Sequence, residues 1–321
     1  MKSTQMESLK IQLDKIITFI EDKSDVIFID YPAHHNVGDL LIYQGALELF
    51  KKHGVTVKAF RSVVDYSYED IKKYVNPQTT ILCHGGGNFG DIYPIHQVLR
   101  EKVVENFPEN RIIVLPQTAH FSSESSFQQT REKLKKHSNL ILFARDARTL
   151  ELFKAITAKA YLSPDMAHSL YGLYPKSVTK IPSTLYFLRL DKEVNEKQAS
   201  LVLPDGVISK DWVDFISSKD RAFRRFINYM YDLSKNTNSR FIRDLTAKFW
   251  IWHCEYVVKR SFKFFSKYNE IITSRMHGHI LACLVDVPNK IIDNSYGKNT
   301  GYYNEWTKPV LCASLIDDEK E

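Results

Sequence analysis

From residue 26 onward, short apolar runs bounded by turn residues alternate with longer stretches of helical periodicity, and this alternation constrains the fold more than any single motif. The strand candidates are Val26 to Asp30, Val55 to Phe60, Ile81 to His84, Ile112 to Leu115, Leu140 to Phe143 and Tyr161 to Ser163. Strand and helix in strict succession predict an α/β chain with a parallel, doubly wound sheet carrying helices on both faces. After Tyr174-Pro175-Lys176 the pattern restarts at Ile181 to Leu190, with later strand candidates at Phe241, Ile271 to Thr273 and Lys290 to Asp293. The expectation is two domains, residues 1–175 and a smaller α/β unit over residues 176–321.

With 321 residues and 44% hydrophobic content the chain can bury a large core. No segment approaches the roughly 20 uninterrupted apolar residues that a spanning helix needs, and the N-terminus lacks a signal-peptide pattern. Met6, Leu9, Leu13, Ile16 and Ile20 instead space an amphipathic helix. Cys83, Cys254, Cys283 and Cys312 are scattered, without metal spacing or a disulfide framework, and a cytoplasmic location is the natural expectation.

The net charge of +6 is unevenly placed. Residues 221–267 hold eleven Lys or Arg against Asp232, Asp244 and Glu255, a local surplus of eight, and interleave them with a dozen aromatic side chains. Such a segment suits the inner face of a membrane or a phosphate-bearing lipid; a pair of amphipathic helices with aromatic cores and solvated basic faces is the alternative. No nucleic-acid motif accompanies the charge, and nucleic acid is not an expected partner.

In open α/β sheets, ligands bind beyond the carboxyl ends of the strands. The informative polar segments here all follow strand candidates. His34-His35-Asn36-Val37-Gly38-Asp39 comes after the first, His84-Gly85-Gly86-Gly87-Asn88 after the third, and Gln117 after the fourth. Arg145-Asp146 follows the fifth and Asp165-Met166-Ala167-His168 the sixth. Gly85, Gly86 and Gly87 would let backbone N–H groups approach an anion at a helix start, and Asn88 would add a directed hydrogen bond; a structural turn is the competing reading. Asn36, Gly38 and Asp39 suit a tight loop and helix start, with Asp39 capping or touching a substrate hydroxyl. A metal on His34, His35 and Asp39 is set aside. Arg145 with Asp146 reads equally as a local ion pair, and Asp165 with His168 as a helix cap and a surface histidine.

The sharpest candidate lies in the second half. Glu270-Ile271-Ile272-Thr273-Ser274-Arg275-Met276-His277-Gly278-His279 places polar residues where a buried strand hands over to a helix, with Ser274 as expected cap. Free N–H groups and the helix dipole favour an anion there, the Arg275 guanidinium reinforces them, and an imidazole can move protons. His277 is the first choice for that role, and His279 is balanced between site and packing.

Six segments in this order resemble the polysaccharide pyruvyl transferase family: Asn36-Val37-Gly38-Asp39, Gly85-Gly86-Gly87-Asn88-Phe89, Arg145-Asp146, Asp165-Met166-Ala167, Ser274-Arg275-Met276-His277 and Asp293-Asn294-Ser295-Tyr296-Gly297-Lys298. The resemblance spans about residues 26 to 300. It implies two Rossmann-like domains in a GT-B-like arrangement with an interdomain cleft, phosphoenolpyruvate as co-substrate, no other cofactor, and a glycan acceptor, lipid-diphosphate-linked or a polysaccharide precursor, that receives a pyruvate ketal. The acid/base candidates are then His277, Asp39 and His279, with Arg275. Gly85, Gly86, Gly87, Asn88, Arg145 and Arg275 would hold the donor. Asn36, Gly38, His84, Gln117, Asp165, His168, Asn294, Tyr296 and Lys298 would line the rest of the cleft. The rival enzyme is a GT-B glycosyltransferase using a nucleotide-sugar, for which no clear acidic ribose anchor is present; a glycan- or lipid-binding protein is the non-enzymatic rival.

Overall fold

Val26–Ile29 forms the first strand, β1, because four successive apolar residues are buried on both faces, as a parallel sheet covered by helices demands. The computed structural model describes residues 4–177, 179, 181–190, 194, 196–294 and 297–316. β1 is joined by β2 (Val57–Arg61), β3 (Thr80–Cys83), β4 (Gly86–Gly90), β5 (Arg111–His120), β6 (Leu140–Ala144) and β7 (Ala160–Leu162) in a seven-stranded sheet. Its order is β2-β1-β3-β5-β6-β7, with β4 added against β5, and the pairings are parallel. The chain steps outward from β1 to β2 and then reverses to β3. The loops after β1 and β3 therefore flank a topological switch point, where such sheets open a crevice.

A second sheet of four parallel strands has the order β11-β10-β9-β8, from β8 (Ile181–Phe187), β9 (Tyr268–Thr273), β10 (Asn289–Ile291) and β11 (Ala313–Leu315). One apolar core runs between the two sheets, from Phe28, Leu82 and Ile141 through Trp250, Val257 and Val258 to Leu185, Phe187 and Ile271. A second cluster, built on Ile27, Ile81, Ile112 and Val114, fills the other face of the first sheet. Between β8 and β9 two long helices, Ser218–Asn236 and Arg240–Phe265, begin at Ser217 and Ser239, whose hydroxyls accept backbone N–H groups of the first turn. The second helix packs on the helix Val37–Lys52, and its Trp250 Nε1 donates to the Pro32 carbonyl at 2.6 Å.

Three expectations need correction. Phe241 is not in a strand; it lies in the first turn of Arg240–Phe265 with 74% of its surface exposed, because the amphipathic pattern around it has the helical period. The glycine run does not open a helix. Gly86–Gly90 is a strand against the far half of β5, and the next helix starts only at Pro94. Glycine is required at position 90, where φ is +110° and a Cβ would lie 1.8 Å from the His120 carbonyl oxygen. The N-terminal helix is broken at Leu13 into Thr4–Gln12 and Asp14–Ile17, although Met6, Leu9, Leu13, Ile16 and Ile20 are all buried as their spacing predicts.

Candidate active site

The strand ends of both sheets contribute to a cavity of about 360 Å³. From the β1 side come His34, Asn36 and Asp39. Asn36 caps the helix Val37–Lys52 through its Oδ1, which accepts the Gly38 N–H at 3.2 Å, while its Nδ2 donates to Asp39 Oδ2 at 2.8 Å. One side chain thus starts the helix and fixes the Asp39 carboxylate on its first turn, where the dipole favours negative charge.

Gly87 and Asn88 reach the cavity from β4. Asn88 Oδ1 accepts from Arg100 Nη2 at 2.7 Å and Gln117 Nε2 at 3.0 Å, which leaves Nδ2 as the end of the amide available to a ligand. His96, from the helix Pro94–Asn106, sets Nδ1 2.8 and 3.0 Å from the two carboxylate oxygens of Asp30. Burial works against a charged His96, but the Asp30 hydrogen bond and charge prevail and raise its pKa above the ordinary value. Asp30 itself directly follows β1 and has a φ of +68°, in the left-handed region.

The second sheet supplies the opposing wall. Arg275 is the N-cap residue of the helix Met276–Leu284; its guanidinium donates to Asp211 through Nε at 2.8 Å and Nη2 at 2.5 Å. Ser274, the expected cap, instead accepts the Arg189 N–H at 3.0 Å, tying the ends of β8 and β9 together. Arg189, Trp212 and Lys298 complete this wall. Arg189, Arg275, Lys298 and His96 face one cavity whose acidic lining residue is Asp39, an arrangement that selects an anion.

His277 lies in the first turn of the Met276–Leu284 helix and lines the same cavity. Its Nε2 is 3.3 Å from Asp165 Oδ2, and Asp165, fully buried, also pairs with the fully buried Arg145. Burial alone would raise the Asp165 pKa; the charges of His277 and Arg145 instead hold it far below the usual carboxylate range. On its other side the His277 ring packs against Gly38, where an added Cβ would come within 2.7 Å of Nδ1. The imidazole is held between a carboxylate and a bare backbone, with 13% of its side chain exposed.

The family model described as polysaccharide pyruvyl transferase matches residues 36–296, from the Asn36 cap on one wall past His277 on the other. The chain belongs to the polysaccharide pyruvyl transferase family. It is 36% identical over 315 residues to a Bacillus subtilis (strain 168) protein named "Putative pyruvyl transferase EpsO", covering 97% of this chain and 94% of that one. It is 27% identical over 296 residues to Pyruvyl transferase 1 of Schizosaccharomyces pombe (strain 972 / ATCC 24843), covering 88% of this chain and 69% of the relative. The fold also resembles the crystal structure of a functionally uncharacterised protein of Klebsiella pneumoniae subsp. pneumoniae NTUH-K2044, with a TM-score of 0.59 at 17% identity over 96% of this chain and 98% of that one.

In this pyruvyl transferase, Asn36, Asp39, Gly87, Asn88, Arg275, His277 and Lys298 line one cavity. Gly38, Gly86, Gln117, Arg145 and Asp165 stand directly behind that lining. Arg145 does not pair with Asp146, whose carboxylate caps the helix Ala147–Lys154. Four expected residues are core groups instead. His279 is fully buried with Nδ1 2.5 Å from Asn289 Oδ1 and Nε2 2.7 Å from Thr307 Oγ1, because residues two apart on a helix face different ways; burial lowers its pKa to about 4. His168 is no surface histidine: it stacks on Tyr302, bonds its hydroxyl at 2.8 Å, and burial lowers its pKa to about 4. His84 packs among Phe28 and Tyr43, and burial lowers its pKa to about 3. Gly85 packs against the Pro116 carbonyl rather than the cavity. Asn294 is buried beside the cavity and accepts the Lys298 N–H at 2.8 Å; Tyr296 lies outside the described residues.

The residues that sequence reasoning missed include Arg189, His96, Trp212, Tyr93 and Asn299 in the lining, and Asp211, Asp30 and Arg100 behind it. Arg189 sits two positions beyond β8, so the rule that strand ends carry ligands applied to it as well. Asp211 carries no local signal, since its partner is 64 residues away. Among the described residues no cluster of three or more His, Cys, Asp or Glu side chains is arranged to hold a metal ion.

Proposed function

We propose that the cavity binds phosphoenolpyruvate and moves its pyruvyl unit onto two hydroxyls of a glycan, forming a cyclic ketal and releasing phosphate. The convergence of Arg189, Arg275, Lys298 and His96 on a cavity that also presents His277 and Asp39 carries this reading. A donor with a phosphate and a carboxylate needs several cations, and Arg275, fixed by Asp211, offers a preset one. Asn88 adds a neutral donor from the opposite wall.

The chemistry requires one proton gained at the methylene carbon and one lost from each attacking hydroxyl. His277 gives its proton to the methylene, leaving positive character at C2 that the first hydroxyl oxygen attacks; Asp39 takes that hydroxyl's proton. The C2–O bond to phosphate then breaks, and the second hydroxyl closes the ring as its proton passes to the departing phosphate or back to His277. The sum is one phosphoenolpyruvate and one diol in, one ketal and one inorganic phosphate out. Asp165, held ionised by the charges of His277 and Arg145, orients the His277 ring toward the cavity's reacting groups.

The same reading divides the chain near residue 175 into two Rossmann-like units in a GT-B-like arrangement, with the acceptor entering between them and the enzyme working on the cytoplasmic side of the envelope. A lipid-diphosphate-linked glycan is the acceptor form proposed. Incubating the protein with phosphoenolpyruvate and candidate lipid-linked glycans, and measuring phosphate release together with acceptor mass, tests it. A carboxyl-bearing gain matched by phosphate is expected. Activity with a nucleotide-sugar and none with phosphoenolpyruvate would overturn it.

A further inference from the structure

The two long helices between β8 and β9 bury one side of their aromatic complement and expose the other. Trp250, Tyr231 and Phe262 are in the core, whereas Phe226, Tyr229, Phe249, Trp252 and Tyr256 are 38 to 63% exposed. Phe249, Trp252 and Tyr256 follow at intervals of three and four and so share a face of Arg240–Phe265. Tyr256 stacks on Trp252 at 6.4 Å along this helix, and across the helix pair Trp252 meets Phe223 at 6.1 Å and Phe226 meets Phe249 at 5.9 Å. Arg221, Arg225, Lys248 and Lys259 are exposed on the same pair of helices.

This strip adjoins the cavity. Phe223 stacks on His253 at 4.4 Å, His253 Nε2 is 3.1 Å from His35 Nε2, and the neighbouring His34 lines the cavity. No helix among the described residues is long and apolar enough to cross a membrane. We propose that the exposed aromatic strip and its basic flanks form a docking surface for an anionic lipid bilayer, with the rings at headgroup depth and the cavity mouth beside the surface. Charge decides the occupant. The exposed Arg221, Arg225, Lys248 and Lys259 complement anionic headgroups, and a second copy placed on this face by a twofold axis would set these cations against their own copies.

The inference does not depend on the reaction in the cavity, and its test contains neither donor nor glycan. Of the four tryptophans, Trp212, Trp250 and Trp306 are at most 8% exposed and Trp252 is 62% exposed, so emission changes on docking report Trp252. The full chain is floated with vesicles of phosphatidylcholine alone and with vesicles containing phosphatidylglycerol. Binding is expected only to the anionic vesicles, with a blue shift of tryptophan emission and loss in high salt. Trp252→Ser should remove the shift and weaken binding, and Arg225→Glu with Lys248→Glu should weaken it by about tenfold or more. Circular dichroism checks that the variants fold. Equal binding to both vesicles, no binding to either, or a dimer in solution that Trp252→Ser dissociates would overturn the proposal.

Discussion

Asp211 holds Arg275 through two hydrogen bonds, at 2.8 and 2.5 Å, across 64 residues of chain. The fork geometry fixes both the position and the plane of the guanidinium, and Asp211 is itself anchored because its oxygens also accept the Trp212 and Leu190 N–H groups. In Asp211→Asn the amide can accept at only one atom, so Arg275 loses its preset orientation. The Michaelis constant for phosphoenolpyruvate is expected to rise by roughly tenfold with a smaller fall in kcat, because orientation of a binding cation is lost rather than a proton donor. Initial-rate kinetics over donor concentration check this, and an unchanged Michaelis constant would contradict it.

Gly38 faces the His277 ring so closely that a methyl group would stand 2.7 Å from Nδ1. Gly38→Ala must displace either the ring or the first turn of the Val37–Lys52 helix, at a cost of about 1–3 kcal/mol. Turnover is expected to fall by more than tenfold while the folded structure persists. Chemical denaturation beside phosphate-release assays separates the two effects.

Replacing Asp165 by Asn strands Arg145, which is fully buried, without its counter-charge. Loss of about 3–5 kcal/mol of stability is expected, measured by denaturant unfolding. The pH dependence follows from the sign of the shift. Because the folded Asp165 pKa is depressed, its contribution is complete above the ordinary carboxylate value near 3.8 and is lost as pH falls through the lower folded value. The variant should therefore lack part of the acid-side loss of stability that the parent protein shows below about pH 4.

His96 runs in the opposite direction. Its folded pKa is raised above 6.5 by Asp30, so its stabilising pairing is fully present below pH 6.5 and lost as pH rises through the folded value. Asp30→Asn is the test, because Asn tolerates the φ of +68° at that position. The difference in melting temperature between parent and variant is expected to be largest near pH 6 and to shrink on the alkaline side. A difference that stays constant with pH would contradict the pairing.

Much of the first parallel sheet was legible because fully buried strands such as Val26–Ile29 and Leu140–Ala144 are unbroken apolar runs that only a covered sheet accommodates. β4 was not, since three of its five residues are glycine and its pairing comes entirely from β5. β11 has only three residues at a sheet edge. Within the site, Asn36, Asp39, Arg275 and His277 could be found from local signals, a helix cap and a strand end. The partners that position them could not. Asp211 meets Arg275, and Asp165 meets His277 across 112 residues, only after the two sheets have packed. His279 stayed balanced between site and packing because proximity in sequence to His277 does not by itself identify the helix face; its ring holds Asn289 and Thr307 in the core.

The most direct test of the account compares His277→Gln with the parent protein for phosphoenolpyruvate binding by calorimetry and phosphate release in the presence of acceptor. His277 is assigned to proton transfer and the cations around it to binding, so the variant should bind the donor within a few-fold of the parent and release no phosphate above background. Phosphate release at the parent's rate would contradict the assignment.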